Sequence, residues 1–286
     1  LAIVNGRMSP RSAARYGKLR GLVRSIFGRI DLIAAQTDEF RDHYAALGAP
    51  HVETTGNVKY DGVQTDRANS KTRAMADLLG IRPGDVVWVA GSTQEPEERL
   101  CLEIYAKARR LHPRLRLIVV PRHRERFDAV AALLDASGLP YVRRSRLGPG
   151  PAAPADAVVL GDSMGELGAI WGLADIAFVG GSLDGKRGGQ NMIEPAAYGA
   201  AVLFGPHTWN FKDTVANLLS RQAAVEVADG AALEAEVARL LADLGGREEL
   251  GRAARDFVAS QQGATGRTLD LLARLLESPQ YRREVA

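Results

Sequence analysis

The 286-residue sequence has a single cysteine, Cys101. One thiol excludes an intrachain disulfide framework and suits a reducing compartment. Histidine is scarce as well. His43, His51, His112, His123 and His207 have no cysteine partners and no H-x-x-x-H spacing, so no metal site is expected. An excess of one charge is also missing, since 37 Lys+Arg against 34 Asp+Glu leave only +3. That argues against a dedicated nucleic-acid binder, which needs a concentrated basic face. No apolar run approaches the roughly 20 residues needed to span a bilayer. No signal peptide, internal repeat or low-complexity segment is visible. The 46% hydrophobic and 25% charged content is globular, which excludes disorder, collagen and coiled coil as the main character. An initiating methionine is absent too. The first residue is Leu1 and residues 1–4 already read as a buried strand, so the chain is expected to begin partway through a larger, truncated domain.

What is present is an alternation. Residues 1–4, 31–35, 86–90, 115–120, 157–160, 176–179 and 201–204 are short apolar runs. They are continuous rather than alternating, as parallel strands covered on both faces require. Amphipathic stretches separate them. Residues 97–111 carry Leu100, Ile104 and Ala108 at i, i+4, i+8, and residues 124–136 carry Phe127, Val130, Leu133 and Leu134. Helices between strands imply βαβ units and an α/β fold. At roughly 150 residues per domain the length allows about two domains. The polar, glycine-bearing stretch near 56–70 marks the boundary. The expected division is 1–57 as the end of one Rossmann-like domain, 58–66 as linker, 67–260 as a complete second Rossmann-like domain, and 261–286 as a closing helix. Residues 144–156 read as a surface loop.

Open α/β sheets bind ligands beyond the carboxyl ends of their strands. Four loops in those places carry unusual chemistry. After the run 86–90 come Gly91, Ser92, Thr93 and Gln94. Small residues there admit a ligand to the backbone, while the purely structural alternative is an N-cap with Glu97 and Glu98 in the first turn. After 115–120 come Pro121, which stiffens the exit, Arg122, whose fork suits a phosphate, and His123, which can donate or accept. After 157–160, Ser163 and Glu166 have the spacing of a capping box. After 176–179, residues 180–189 hold five glycines, followed by Gln190, Asn191 and a helix containing Glu194. A helix start behind a glycine-rich loop is a ready anion site. The loop is neither a Walker A sequence nor G-x-G-x-x-G after the first strand. Glu194 lies about where a carboxylate could accept from both hydroxyls of a ribose. A last loop, Gly205 to Phe211, with His207 and two aromatics, can equally be turn packing. Together these loops make a nucleotide-sized crevice without a convincing nucleophile, base or metal cluster.

The motifs Pro121-Arg122-His123, Asp162-Ser163-Met164-Gly165-Glu166-Leu167, Gly188-Gly189-Gln190-Asn191 with Glu194-Pro195, and Gly205-Pro206-His207-Thr208 resemble the 3-deoxy-D-manno-octulosonic acid (Kdo) transferases of lipid A assembly. Asn5-Gly6-Arg7-Met8-Ser9 and Gly56-Asn57-Val58-Lys59-Tyr60-Asp61 resemble the same family, in order along nearly the whole chain. The resemblance implies a GT-B-type glycosyltransferase that moves Kdo from CMP-Kdo to a lipid A precursor, with inversion and without a metal or other cofactor. It also implies that Pro121, Arg122, Met164, Gly165, Glu166, Asn191, Met192, Ile193 and Glu194 contact CMP. Ser92, His123, Gly181 and Gln190 are further donor-site candidates. Gln94 and Gln190 stand where the family commonly has His. The family's catalytic base and membrane anchor are expected upstream of Leu1, so no residue here is assigned to catalysis.

The resemblance implies the cytoplasmic face of the inner membrane. Arg11, Arg15 and Lys18 fall on one helical face, with Arg7, Arg20, Arg24 and Arg29 nearby. Such a face can meet an anionic membrane surface, at about 1 kcal/mol per basic residue, or be simply solvated. Two other readings compete with the transferase: a non-catalytic nucleotide-binding fragment, and another GT-B enzyme using a UDP-sugar.

Overall fold

The computed structural model describes residues 1–148 and 150–277, except the side chain of Arg20; Pro149 of the expected surface loop and residues 278–286 of the expected closing helix lie outside the described residues. The chain divides into two compact units, Leu1–Val63 with Ala259–Ala286, and Gln64–Val258.

The first unit holds β1 (Ala2–Gly6), α1 (Pro10–Gly17), α2 (Arg20–Phe27), β2 (Leu32–Ala35), α3 (Asp38–Ala46) and β3 (Val52–Thr54). Its three strands pair in parallel in the order β1-β2-β3. Alternate residues of β2 point to opposite faces. Ile33 and Ala35 pack with Phe40, Tyr44 and Val23 from the helices, while Leu32 and Ala34 meet Leu271 near the chain end. The basic stretch is two helices, not one. Thr37 caps α3 by accepting from the Phe40 N–H at 3.2 Å, whereas α1 stops at Gly17 with Lys18 as its C-cap.

The second unit opens with α4 (Ser70–Leu79), then β4 (Val86–Thr93), α5 (Glu97–Leu111), β5 (Leu115–Pro121), α6 (Phe127–Ser137), β6 (Tyr141–Arg143), β7 (Val158–Leu160) and α7 (Leu167–Trp171). It continues with β8 (Ile176–Val179), α8 (Ile193–Ala197), β9 (Ala201–Phe204), α9 (Lys212–Ser220), β10 (Val225–Glu226), α10 (Gly230–Ala242) and α11 (Leu244–Gln261). After Gly263, in left-handed backbone at φ +91°, α12 (Ala264–Glu277) follows in the first unit and supplies Leu271.

All seven strands of this second sheet are parallel, in the order β10-β9-β8-β4-β5-β7-β6. The chain leaves β4 toward β5 on one side and later returns to β8 on the other. That reversal is the topological switch point, where the carboxyl ends of strands leave a crevice. Trp88, Leu117, Phe178 and Leu203 pack under α5, α6 and α10 on one face. Val87, Val89, Ile118 and Ala177, at 0–1% exposure, fill the opposite face. Burial of this kind contributes about 25 cal/mol per Å² of apolar surface.

All seven apolar runs read from the sequence are strands, but β3, β6 and β10 were not among them. Each has only two or three residues and none is fully buried, so no apolar run marks it. The buried face of α5 also differs from the expected one. Cys101, Leu102, Ile104 and Tyr105 are buried while Leu100 and Ala108 are only half-buried, and the same face carries Glu97 and Glu98 at 1% exposure each. Arg116, a charge in the middle of β5, is 1% exposed. Its guanidinium donates to the Leu79 and Gly80 carbonyls at 3.1 and 3.0 Å, so it closes the C-terminus of α4.

Candidate functional site

The sheet order brings the ends of β4, β5, β7, β8 and β9 to one edge, and with them every loop singled out above. β4 runs further than its apolar core. It continues to Thr93 through an irregular register between Gly91 and Thr93, so Ser92 is a buried strand residue with φ +55° rather than part of an open loop. Gly91 is needed there for space, because a Cβ would lie 2.4 Å from the Trp171 ring. No hydroxyl caps α5; its N-cap is Pro96.

Pro121 closes β5 and is buried. Arg122 and His123 beyond it are exposed, and the Arg122 N–H donates to the Thr93 carbonyl at 3.0 Å, which fixes its backbone. The Arg122 guanidinium has no hydrogen bond or ion pair among the described residues. A strand end thus presents an uncommitted cation at the crevice.

The loop after β7 is held from behind by side chains. Asp162 accepts from Arg143 Nε at 2.6 Å, from the Ser145 N–H at 2.7 Å and from Ser145 Oγ at 2.6 Å. Burial pushes the Asp162 carboxyl up, but the Ser145 and Arg143 bonds outweigh it and hold it below the usual value. Arg144 donates to Glu166 Oε1 at 2.6 Å, and Ser163 Oγ donates to Glu166 Oε2. The expected capping box is therefore not formed. Glu166 is itself the N-cap of α7, and Ser163 reaches its carboxylate rather than a backbone N–H. Met164, 66% exposed, and Gly165, at φ +82°, form the open tip.

The glycine-rich loop after β8 holds an anion of the protein's own at its first residues, well before the helix start that was expected to meet a ligand. Glu97 accepts from the Gly181 N–H (2.8 Å), the Ser182 N–H (3.0 Å), the Leu183 N–H (3.1 Å) and the Gln94 N–H (2.9 Å). Burial pushes the Glu97 carboxyl above its ordinary value, and the four N–H groups oppose that. Further along, Gly185 and Gly188 pack against His207 and Trp209, whose rings meet edge to face at 6.2 Å. The last loop is packing around a turn.

Gln190 is half-buried, and its amide lies beside Gly181. Asn191 donates to Glu194 Oε1 at 2.9 Å and accepts from the Ile193 N–H at 3.0 Å. Glu194 keeps Oε2 without a hydrogen bond among the described residues. Met192 and Ile193 are 0% and 2% exposed, so their side chains belong to the core and not to the crevice.

Residues missed by the sequence reading are the supports: Glu97, Arg143, Arg144 and Ser145. Glu97 carried a signal. It stands four and eight residues before Cys101 and Tyr105, on the apolar face, where a carboxylate must find donors. The segment 143–145 carried none, because its partner Asp162 is set by the sheet order.

A doubly wound parallel sheet with such a crevice, in a chain with a second parallel α/β unit, is the GT-B glycosyltransferase type. Residues 1–62 match the family model for 3-deoxy-D-manno-octulosonic-acid transferase (kdotransferase). The 3-deoxy-D-manno-octulosonic acid transferase of Haemophilus influenzae is 40% identical over 280 residues, 96% of this chain and 64% of that protein. The one of Bordetella pertussis is 37% identical over 275 residues, 95% of this chain and 63% of that protein. The crystal structure of the C-terminal CMP-Kdo binding domain of WaaA from Acinetobacter baumannii superposes with a TM-score of 0.60 at 32% identity, over 65% of this chain and 97% of that one. The chain belongs to the Kdo transferase family, and spans slightly less than two thirds of the length of those two curated relatives.

Proposed function

We propose that the second unit holds CMP-Kdo and that the protein transfers Kdo to a lipid A precursor in lipopolysaccharide assembly. The observation that carries this is Arg122: an exposed guanidinium with no protein partner, at the switch-point edge of the sheet, in a chain similar to a CMP-Kdo binding domain. In this reading the Arg122 guanidinium meets the phosphate and Glu194 Oε2 accepts from the ribose. Pro121, Met164, Gly165, Glu166 and Asn191 line the nucleotide, and Met192 and Ile193 support it from the core. An acceptor hydroxyl gives its proton to a base and attacks the anomeric carbon of Kdo with inversion, the bond from that carbon to the phosphate oxygen breaks and CMP leaves. Arg122 stabilises the negative charge gathering on the leaving phosphate.

Arg122→Ala is expected to weaken CMP by about 1.5–3 kcal/mol, the size of a hydrogen bond to a charged group. Calorimetric titration measures it, and unchanged affinity removes Arg122 from the site. Stabilisation by UDP but not CMP in a thermal shift would instead favour the UDP-sugar reading.

The first unit supports a place at the cytoplasmic face of the inner membrane, against anionic lipid. Arg11, Arg15, Lys18, Arg24 and Arg29 are exposed. Beside them Leu19, Leu22 and Ile26 are 59%, 65% and 56% exposed. Apolar side chains next to cations suit an interfacial helix. No helix of the described residues is long and apolar enough to cross a membrane. Flotation with vesicles tests the contact: binding that ignores anionic lipid content counts against it.

A further inference from the structure

The carboxylate of Glu97 links three of the crevice loops. It belongs to the first turn of α5, yet three of its four hydrogen bonds go to the N–H groups of residues 181–183, across the sheet. Those residues hold the others. Gly181 accepts from the Gly189 N–H at 2.8 Å, which draws the start of the Gln190–Glu194 segment against the crevice. Ser182 accepts through Oγ from the Gly205 N–H at 2.8 Å and through its carbonyl from the His207 N–H at 3.0 Å. The packing admits no slack. A Cβ on Gly180 would lie 2.6 Å from Glu97 Oε2 and from Thr93 Cα, and one on Gly205 would lie 2.3 Å from the Ser182 carbonyl oxygen.

An ionised carboxylate has about four lone-pair sites and no hydrogen to donate. It is therefore the side chain that can satisfy four converging N–H groups, and the amide of Gln cannot. At 1% exposure the group is removed from water, which has a cost the fold would avoid with an apolar residue at this position. It also keeps the N–H groups of 181–183 away from any anionic ligand.

We propose that Glu97 is a positioning residue of the donor site: it holds residues 180–191 and 205–207 in their nucleotide-ready form before any ligand arrives. This rests on the CMP-binding reading above.

The test is residue-resolved amide hydrogen exchange and CMP calorimetry on the full chain, with Glu97→Gln compared with wild type and with Arg122→Ala. In ligand-free wild type the amides of Gly181, Ser182 and Leu183 are expected to be protected like those of β8. Glu97→Gln should speed their exchange and weaken CMP, each by about tenfold, the equivalent of one charge-assisted hydrogen bond. Arg122→Ala should weaken CMP and leave that exchange unchanged. Wild-type amides at 181–183 that are protected only after CMP is added would overturn the proposal without need of any variant. So would a folded Glu97→Gln protein with unchanged exchange, or one with fast exchange and full CMP affinity. Failure of wild type itself to bind CMP would overturn the donor-site reading, and with it the functional half of this proposal; the exchange data would still report on the clamp.

Discussion

The loops after β7 and after β8 stand at the same edge of one sheet and are held by opposite chemistry. After β8 an acid grips backbone: Glu97 takes the N–H groups of a glycine-rich turn, at 1% exposure. After β7 arginines grip acids: Arg143 holds Asp162 and Arg144 holds Glu166. The first device fixes the main chain itself and needs glycine, because the carboxylate and the neighbouring strand leave no room for a Cβ. The second fixes side chains and leaves the main chain of Met164 and Gly165 at the surface. One loop is thus a rigid wall and the other an adjustable tip.

Substitutions can break this contrast, starting with the wall. Gly205→Ala puts a Cβ 2.3 Å from the Ser182 carbonyl oxygen, backbone against backbone. It is expected to cost about 3 kcal/mol, at the upper end for overpacking, measured as a shift in the denaturation midpoint. Retained stability would mean the wall yields.

Asp162→Asn strikes the anchor of the tip. Losing charge-assisted bonds from Arg143 and Ser145 should cost about 1.5–3 kcal/mol at neutral pH. The effect has a pH signature. The folded carboxyl holds its proton less tightly than the unfolded one, so unfolding takes up a proton. Its contribution is complete above the ordinary carboxylate range and is lost as pH falls through the lowered value. Denaturant midpoints taken from neutral pH downward should converge for wild type and variant; a constant gap would show that Asp162 acts through shape alone.

The smallest effect belongs to the tip. Met164→Ala, at 66% exposure, should change stability by less than about 0.5 kcal/mol. A larger loss of thermal stability would mean that the tip is packed and the contrast overstated.

Much of this was legible in the chain. The parallel strands were, because a strand buried on both faces must be apolar throughout, as Ile176–Val179 and Ala201–Phe204 are. The crevice loops were, because Gly180, Gly181, Gly185, Gly188 and Gly189 cluster directly behind one of those strands. The edge strands were not. Val225–Glu226 has one apolar residue, and its pairing with β9 is a property of the neighbour.

The roles within the crevice divide the same way. Local spacing put Arg122 at a strand end and Glu194 on a helix start, and both are accessible there. Spacing also suggested a capping box at Ser163, but its hydroxyl donates to the carboxylate of Glu166, which Arg144 also holds. The partners that fix the crevice loops lie far away in sequence. Glu97 and Gly181 are 84 positions apart, and Asp162 and Arg143 are 19 apart. Sequence alone determined the strand and helix periods, since these follow from burial repeating along the backbone. Only the tertiary structure decided which N–H groups stay free for a ligand, because that depends on which buried charge the fold brings to meet them first.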